Sequence, residues 1–233
     1  MKLYKYRFFN EYTCNSLLES YIWLSSPDTF NDPFDCHLKD DYLLFDDSQL
    51  SAAALEELTG HGNGKDYYDN VIYPWYLTNG IGCFCESHEE ILLWSHYANC
   101  HRGICLEYDF SCNKNLEKLL QKVIYTDEYP QINFSQFIGT GLESSISYIR
   151  KAFYTKYKVW EYEKEWRLVL PGYPNKKLFY PPYFLSAVYL GCNISAPDRE
   201  WVTEFAQDRR EKLPVFQYHI SEHSFRLETV QIA

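Results

Sequence analysis

Two glutamates stand two residues apart, Glu163 and Glu165, in the stretch WEYEKEWRLVL at residues 160–170. Paired carboxylates can hold a sugar hydroxyl, steady a developing positive charge or move a proton. Read as a strand, the stretch puts residues 163, 165 and 167 on one face and Trp166, Leu168 and Leu170 on the other. Arg167 then lies beside Glu165, so the same residues also suit a structural ion pair on a half-exposed strand. The segment FNDPFD at 30–35 sets Asn31, Asp32 and Asp35 around Pro33. That is good turn chemistry, and it also offers groups for a hydroxyl, a cation or an arginine. Phe30 and Phe34 are expected to pack the loop down.

A third segment, WSHYANCHRGICLEYD at 94–109, gathers Trp94, His96, Tyr97, His101 and Glu107. Histidine titrates near neutral pH and suits proton transfer or metal ligation. On a continuous helix Tyr97 and His101 are neighbours, with His96 on the adjoining face and Gly103 as the stop. A packed helix–strand junction with satisfied histidines is an equal reading. No Ser–His–Asp order or nucleophile elbow is present. In LYKYR at 3–7, Lys5 and Arg7 share a strand face with Leu3, placed to hold a phosphate or carboxylate or to guard a sheet edge. A metal-dependent hydrolase, a third reading, would draw on Asp32, Asp35, His96, His101 and a Glu, but their spacing matches no known site, and no metal is expected. The eight cysteines form no pair of CxxC knuckles. Cys83, Cys85 and His88, like His96, Cys100 and His101, lack structural zinc spacing and read as packing residues.

The elements that must position these residues follow from periodicity and breakers. Strands are expected at LYKYRFF, YIWLSS, GIGCFCES, RGICLEYD, QKVIYTD, EKEWRLVLP, LSAVYLG, PVFQYHIS and FRLETVQI. Helices are expected at NEYTCNSLLES, with Asn10 as N-cap, and at DSQLSAAALEELTG. Others are expected at HEEILLWSHYA, FSQFIGTGLESSISYIRKAFYTKY and APDREWVTEFAQDRREKL. Ile91, Leu92, Trp94, Ser95 and Ala98 are expected to form one helix face. HGNGKDYYDN reads as the most flexible piece. The order shows no regular βαβ rhythm, GxGxxG or P-loop, which disfavours Rossmann and P-loop enzymes. The expected fold is α+β: a single domain over 1–233 with a mixed, largely antiparallel, split sheet flanked by helices. The terminal strand–helix–strand–strand at 185–232 is expected to complete the sheet.

A length of 233 residues and 46% hydrophobic content allow a sizeable core without staples. The net charge of -10 opposes non-specific nucleic-acid binding and an anionic membrane surface as partner. With no apolar signal core at the start, the chain is expected to be cytoplasmic with reduced thiols.

Together, LYKYR, FNDPFD, CFCES, LLWSHYANCHRGICLEYD and VWEYEKEWRL resemble, in this order over residues 3–170, a bacterial family known as domain of unknown function 2971. The order of elements is also similar to the ADP-ribosyltransferase fold, in which a first-strand basic residue and a late Glu-x-Glu serve NAD. That resemblance implies NAD as substrate and cofactor, with Glu165 as the catalytic carboxylate and Glu163 orienting or deprotonating an acceptor. It implies Arg7 or Lys5 on the nucleotide, Ser87 or Tyr97 as the middle element, and aromatic stacking from a residue such as Trp94. Asn31, Asp32 and His101 complete the expected nucleotide-binding set. A protein or an exposed nucleobase would accept the ADP-ribose, as in toxins and phage-defence effectors. The chain lacks a Ser-Thr-Ser element and the Gly-Thr or Gly-Ser after the first-strand residue. A non-catalytic sensing module is the alternative.

Overall fold

The computed structural model describes residues 1–36, 43–44, 56, 64–129, 132–133 and 150–233. The chain opens with β1 (Lys2–Arg7), α1 (Glu11–Leu18), β2 (Tyr21–Leu24) and β3 (Leu43–Leu44). Next come α2 (residues 64–77, with a π-helical turn at Tyr68–Ile72), β4 (Asn79–Cys85), α3 (Ile91–Tyr97) and β5 (Ile104–Asp109). Then follow α4 (Lys114–Leu119), β6 (Leu120–Lys122), β7 (Ile124–Thr126), β8 (Ile132–Asn133), β9 (Thr155–Tyr157) and β10 (Glu165–Pro171). The chain ends with β11 (Lys176–Phe179), β12 (Leu185–Leu190), α5 (Ala196–Gln207), β13 (Val215–Ile220) and β14 (Leu227–Gln231).

One eight-stranded sheet runs β14-β13-β12-β5-β1-β4-β10-β6. Its pairs are antiparallel except β12–β13, which run parallel with α5 between them in sequence. The fold is therefore α+β with a mixed, largely antiparallel sheet, and the final strand–helix–strand–strand completes it, as the sequence implies. Among the described residues, no helix is long and apolar enough to cross a membrane.

Period-two alternation divides β1 between two cores. Leu3 points to one face with Phe84, Leu106, Leu168 and Val188, covered by Leu17 of α1 and Val202 of α5. Tyr6 points to the other face with Cys105, Tyr189 and Tyr218, covered by Leu93 and Trp94 of α3. Each fully buried large apolar side chain contributes about 1.5–3 kcal/mol. α1 and α5 start as their sequences require. Asn10 accepts the Thr13 amide at 3.0 Å. Ser195 accepts the Asp198 amide, with proline in the first turn. Each cap contributes about 1 kcal/mol.

Several expectations fail locally. The apparently flexible stretch 61–70 enters α2 at Gly64, because Tyr67, Tyr68 and Ile72 are buried there. In α3 the buried face is Leu93 and Trp94, while Ile91 and Leu92 are exposed. The expected strand QKVIYTD breaks into β6 and β7. The helix expected through residue 157 ends earlier, since Thr155–Tyr157 pair with Ile124–Thr126 as parallel strands. The helix expected at residues 47–60 lies almost wholly outside the described residues.

Candidate functional site

The sheet is incomplete at its centre. β1 and β4 pair at one position only, Tyr4 with Cys85, whereas β4 and β10 pair at every residue from Asn79–Pro171 to Cys85–Glu165. Further along β4, Ile81 bridges to Ser25 instead, and the Cys83 carbonyl accepts from Lys5 Nζ at 2.9 Å. A cleft of ≈ 300 Å³ opens at this split. Lys5, Asn31, Asp35, Tyr97, Glu163 and Glu165 are among its lining residues.

Behind the cleft lies a buried ion network. Arg167 is fully buried, and all five of its N–H groups have partners. Nε donates to Glu165 Oε1 at 2.7 Å, and Nη2 donates to Glu165 Oε2 at 2.9 Å and Asp35 Oδ2 at 2.7 Å. Nη1 donates to the Phe153 carbonyl and to Cys36 Sγ, both at 2.8 Å. Lys156 Nζ donates to Glu163 Oε2 at 2.5 Å and Glu165 Oε2 at 3.0 Å, and lies 3.4 Å from Asp35 Oδ2. Three carboxylates thus face two cations.

The two glutamates differ in environment. Burial opposes ionisation of Glu165, but Arg167 and Lys156 outweigh it and hold its carboxyl well below the usual range. Three N–H donors and the Cys83 thiol occupy it. Glu163 goes the other way: burial raises its pKa against the pull of Lys156. Among the described residues its oxygens accept from Tyr97 Oη at 2.8 Å and from Lys156, which leaves lone pairs for a ligand.

Backbone geometry explains how adjacent residues diverge. The strand expected over EKEWRLVLP begins only at Glu165. Glu163 ends a 3₁₀ turn, and Lys164 takes a left-handed conformation, φ 44°. Parity still holds from Glu165 onward: Glu165 and Arg167 face the network, while Trp166, Leu168 and Leu170 pack on the first core. Glu163 reaches the same cleft from a turn rather than from strand alternation.

Of the residues proposed from sequence, Glu163, Glu165, Lys5, Asn31 and Tyr97 come together. Arg7 does not line the cleft. It lines an adjoining hollow of ≈ 420 Å³ with Asn10 and His96, and the two spaces share Tyr6, Asn31 and Tyr97. Asp32 instead accepts the Phe34 amide at 2.9 Å and holds its own turn. Ser87 lies outside the cleft: its hydroxyl accepts the Glu89 amide and its carbonyl accepts from Tyr6 Oη. Trp94 is fully buried and cannot stack on a ligand; its indole donates to the His88 carbonyl at 2.8 Å.

His101 stacks on Trp94 and pairs with Ser95 Oγ at 3.1 Å, away from the cleft. Asn99, Cys100 and His101 all have positive φ, so the helix ends before His101 and the expected Tyr97–His101 adjacency is lost. Asp35 serves the ion network, and among the described residues no group of three or more His, Cys, Asp or Glu could hold a metal ion. Sequence reasoning missed Lys156, which was hidden in an expected helix. The alternation at Thr155-Lys156-Tyr157 was the available signal.

Residues 93–168 match the family model described as protein of unknown function (DUF2971). The resemblance to that family is borne out over this stretch, which contains Tyr97, Lys156, Glu163, Glu165 and Arg167. No curated protein and no solved structure matches the chain.

Proposed function

We propose that the cleft between β1 and β4 cleaves the N-glycosidic bond of a nicotinamide nucleotide such as NAD. Nicotinamide leaves, and ADP-ribose passes to water, to a protein or to an exposed base. The observation that carries this reading is the contrast within the carboxylate pair. Glu165 is saturated and locked by Arg167 and Lys156, while Glu163 keeps acceptor capacity in the cleft beside the Tyr97 hydroxyl. Departure of nicotinamide leaves an oxocarbenium-like ribose, and a carboxylate fixed beside it stabilises the developing charge. Glu163 takes that role, which the resemblance implies for Glu165. Glu165 becomes a positioning residue that holds Lys156 and so orients Glu163. Asn31 can hydrogen-bond the ribose. Arg7, in the adjoining hollow, can hold the pyrophosphate as a fork.

The test is incubation of the folded chain with NAD and measurement of released nicotinamide. Release that vanishes in Glu163→Gln, with the melting temperature kept, supports the reading. No release from folded wild type refutes it.

One observation favours a second reading. Every donor of Arg167 is satisfied inside the protein, as in a network whose purpose is to hold loops of a non-catalytic sensing module. On that reading Glu163→Gln and Glu165→Gln change stability alone, and no nicotinamide appears.

A further inference from the structure

Lys5 differs from the other cations of the cleft. Arg167 and Lys156 are engaged by Asp35, Glu163 and Glu165. Lys5 has no carboxylate within ion-pair distance among the described residues. Its one side-chain hydrogen bond among the described residues goes to the Cys83 carbonyl, and Nζ lies 5.3 Å from the centre of the Phe84 ring. The side chain is half-buried and lines the cleft. Its position is fixed by β1, where Lys5 pairs with Leu106 of β5.

A lysine so placed can hold an anion or, as a free amine, attack a carbonyl. The cleft disfavours the anion. An anion beside Lys5 would also meet Glu163 and Asp35, and the two cations near them are already engaged. Arg7, the next cation, opens into the other hollow. We propose that Lys5 is a nucleophilic amine that forms an imine with an aldehyde or ketone group of a ligand in this cleft.

The Nζ lone pair adds to the carbonyl carbon, and the C=O π pair moves to oxygen, giving a carbinolamine after proton transfer. The hydroxyl then leaves as water while the nitrogen closes the C=N bond. Both amine hydrogens leave in that water, and no oxidant or reductant is consumed. The hydrogen-bonded Tyr97–Glu163 pair in the same cleft can supply the proton to the departing hydroxyl and take one back. Burial lowers the pKa of Lys5, and desolvated lysines are the ones that serve as amine nucleophiles. The inference does not rest on nucleotide cleavage: nicotinamide release and imine formation are read out separately.

The probe is pyridoxal, an aldehyde without a phosphate, added in limiting amount to the full chain at neutral pH. Borohydride then reduces the imine to a stable amine, and peptides are mapped by mass. Lys5 should be marked several-fold faster than the exposed Lys118 and Lys158, because its lowered pKa leaves more of the amine free at neutral pH. Tyr97→Phe should slow marking of Lys5 several-fold and leave Lys118 unchanged. Marking of Lys5 no faster than of the exposed lysines overturns the proposal. Full protection of Lys5 by inorganic phosphate also overturns it, in favour of an anion site. The decisive comparison is made within the wild-type chain, so it does not depend on any variant folding.

Discussion

Replacing Arg167 with methionine tests the central network directly. The side chain is fully buried, and its five donors serve Glu165, Asp35, Cys36 and the Phe153 carbonyl. Its removal leaves Asp35, Glu163 and Glu165 facing Lys156 alone. Breaking a buried pair from one side costs about 3–5 kcal/mol, because the remaining charges stay buried without compensation. For a domain of this size each kcal/mol lowers the melting temperature by about 2–4 °C, so the expected fall is about 6–20 °C.

The pH dependence has a definite sign. The folded pKa of Glu165 is depressed by Arg167 and Lys156 against the opposing effect of burial. Its contribution is therefore present above the unfolded value of about 4.3 and is lost as pH falls through the folded value. In the variant only Lys156 is left to oppose burial, so that depression is reduced. The stability gap between wild type and Arg167→Met, measured by denaturant melts, should be widest near neutrality and should narrow on acidification below about pH 5. A gap under about 1 kcal/mol at neutral pH would mean that the carboxylates find other partners, as at exposed ion pairs, and the buried-network reasoning would fail.

Three further outcomes follow from particular contacts. If Glu163 acts ionised, nicotinamide release should rise with pH through an inflection above the ordinary glutamate value, since burial raises its pKa against Lys156; an inflection at or below that value counts against the assignment. Gly103→Ala should cost at least about 1–3 kcal/mol in thermal melts, because the added Cβ would lie 2.2 Å from the Arg7 carbonyl oxygen; a neutral outcome would mean β1 and β5 are looser than they look. A thiol reagent should label the exposed Cys100 and Cys112 in the native state and reach Cys36, Cys85 and Cys105 only on unfolding, since burial raises the buried thiols, Cys85 to about 12; fast native labelling of Cys85 contradicts this.

What the sequence made legible was set by how local the signal was. Alternation in LYKYR and EWRLVL reports which side chains share a face, and the faces of β1 and β10 follow it. Asn10 and the Ser195–Pro197 start are local capping signals, and both helices begin there. Glu163 and Glu165 were found by type and spacing, yet the geometry that joins them was not a strand. The turn at Lys164 resets the register, and tertiary contact with Lys156 restores the proximity. Asp35 and Cys36 reach Arg167 from one segment and the Phe153 carbonyl from another, with Lys156 beside them on Glu165 and Asp35, and nothing in their local spacing encodes that meeting. The histidines were misread for the same reason. His101 looked poised for chemistry on an ideal helix, but three left-handed residues end the helix and turn its ring onto Trp94.

These same contacts link the two proposals for the cleft. Arg167 locks Glu165 and Asp35, they engage Lys156, and Lys156 fixes one oxygen of Glu163 while Tyr97 holds the other. The network therefore spends most of its hydrogen-bonding capacity on one side of the cleft and leaves capacity on Glu163, on Lys5 and on Asp35 Oδ1, which is buried without a hydrogen-bond partner among the described residues. A purely structural network has no need of that asymmetry: a satisfied core would leave neither a carboxylate with free lone pairs nor a lysine without a counter-ion facing one cavity. Nicotinamide release tests the first of these groups and imine trapping the second.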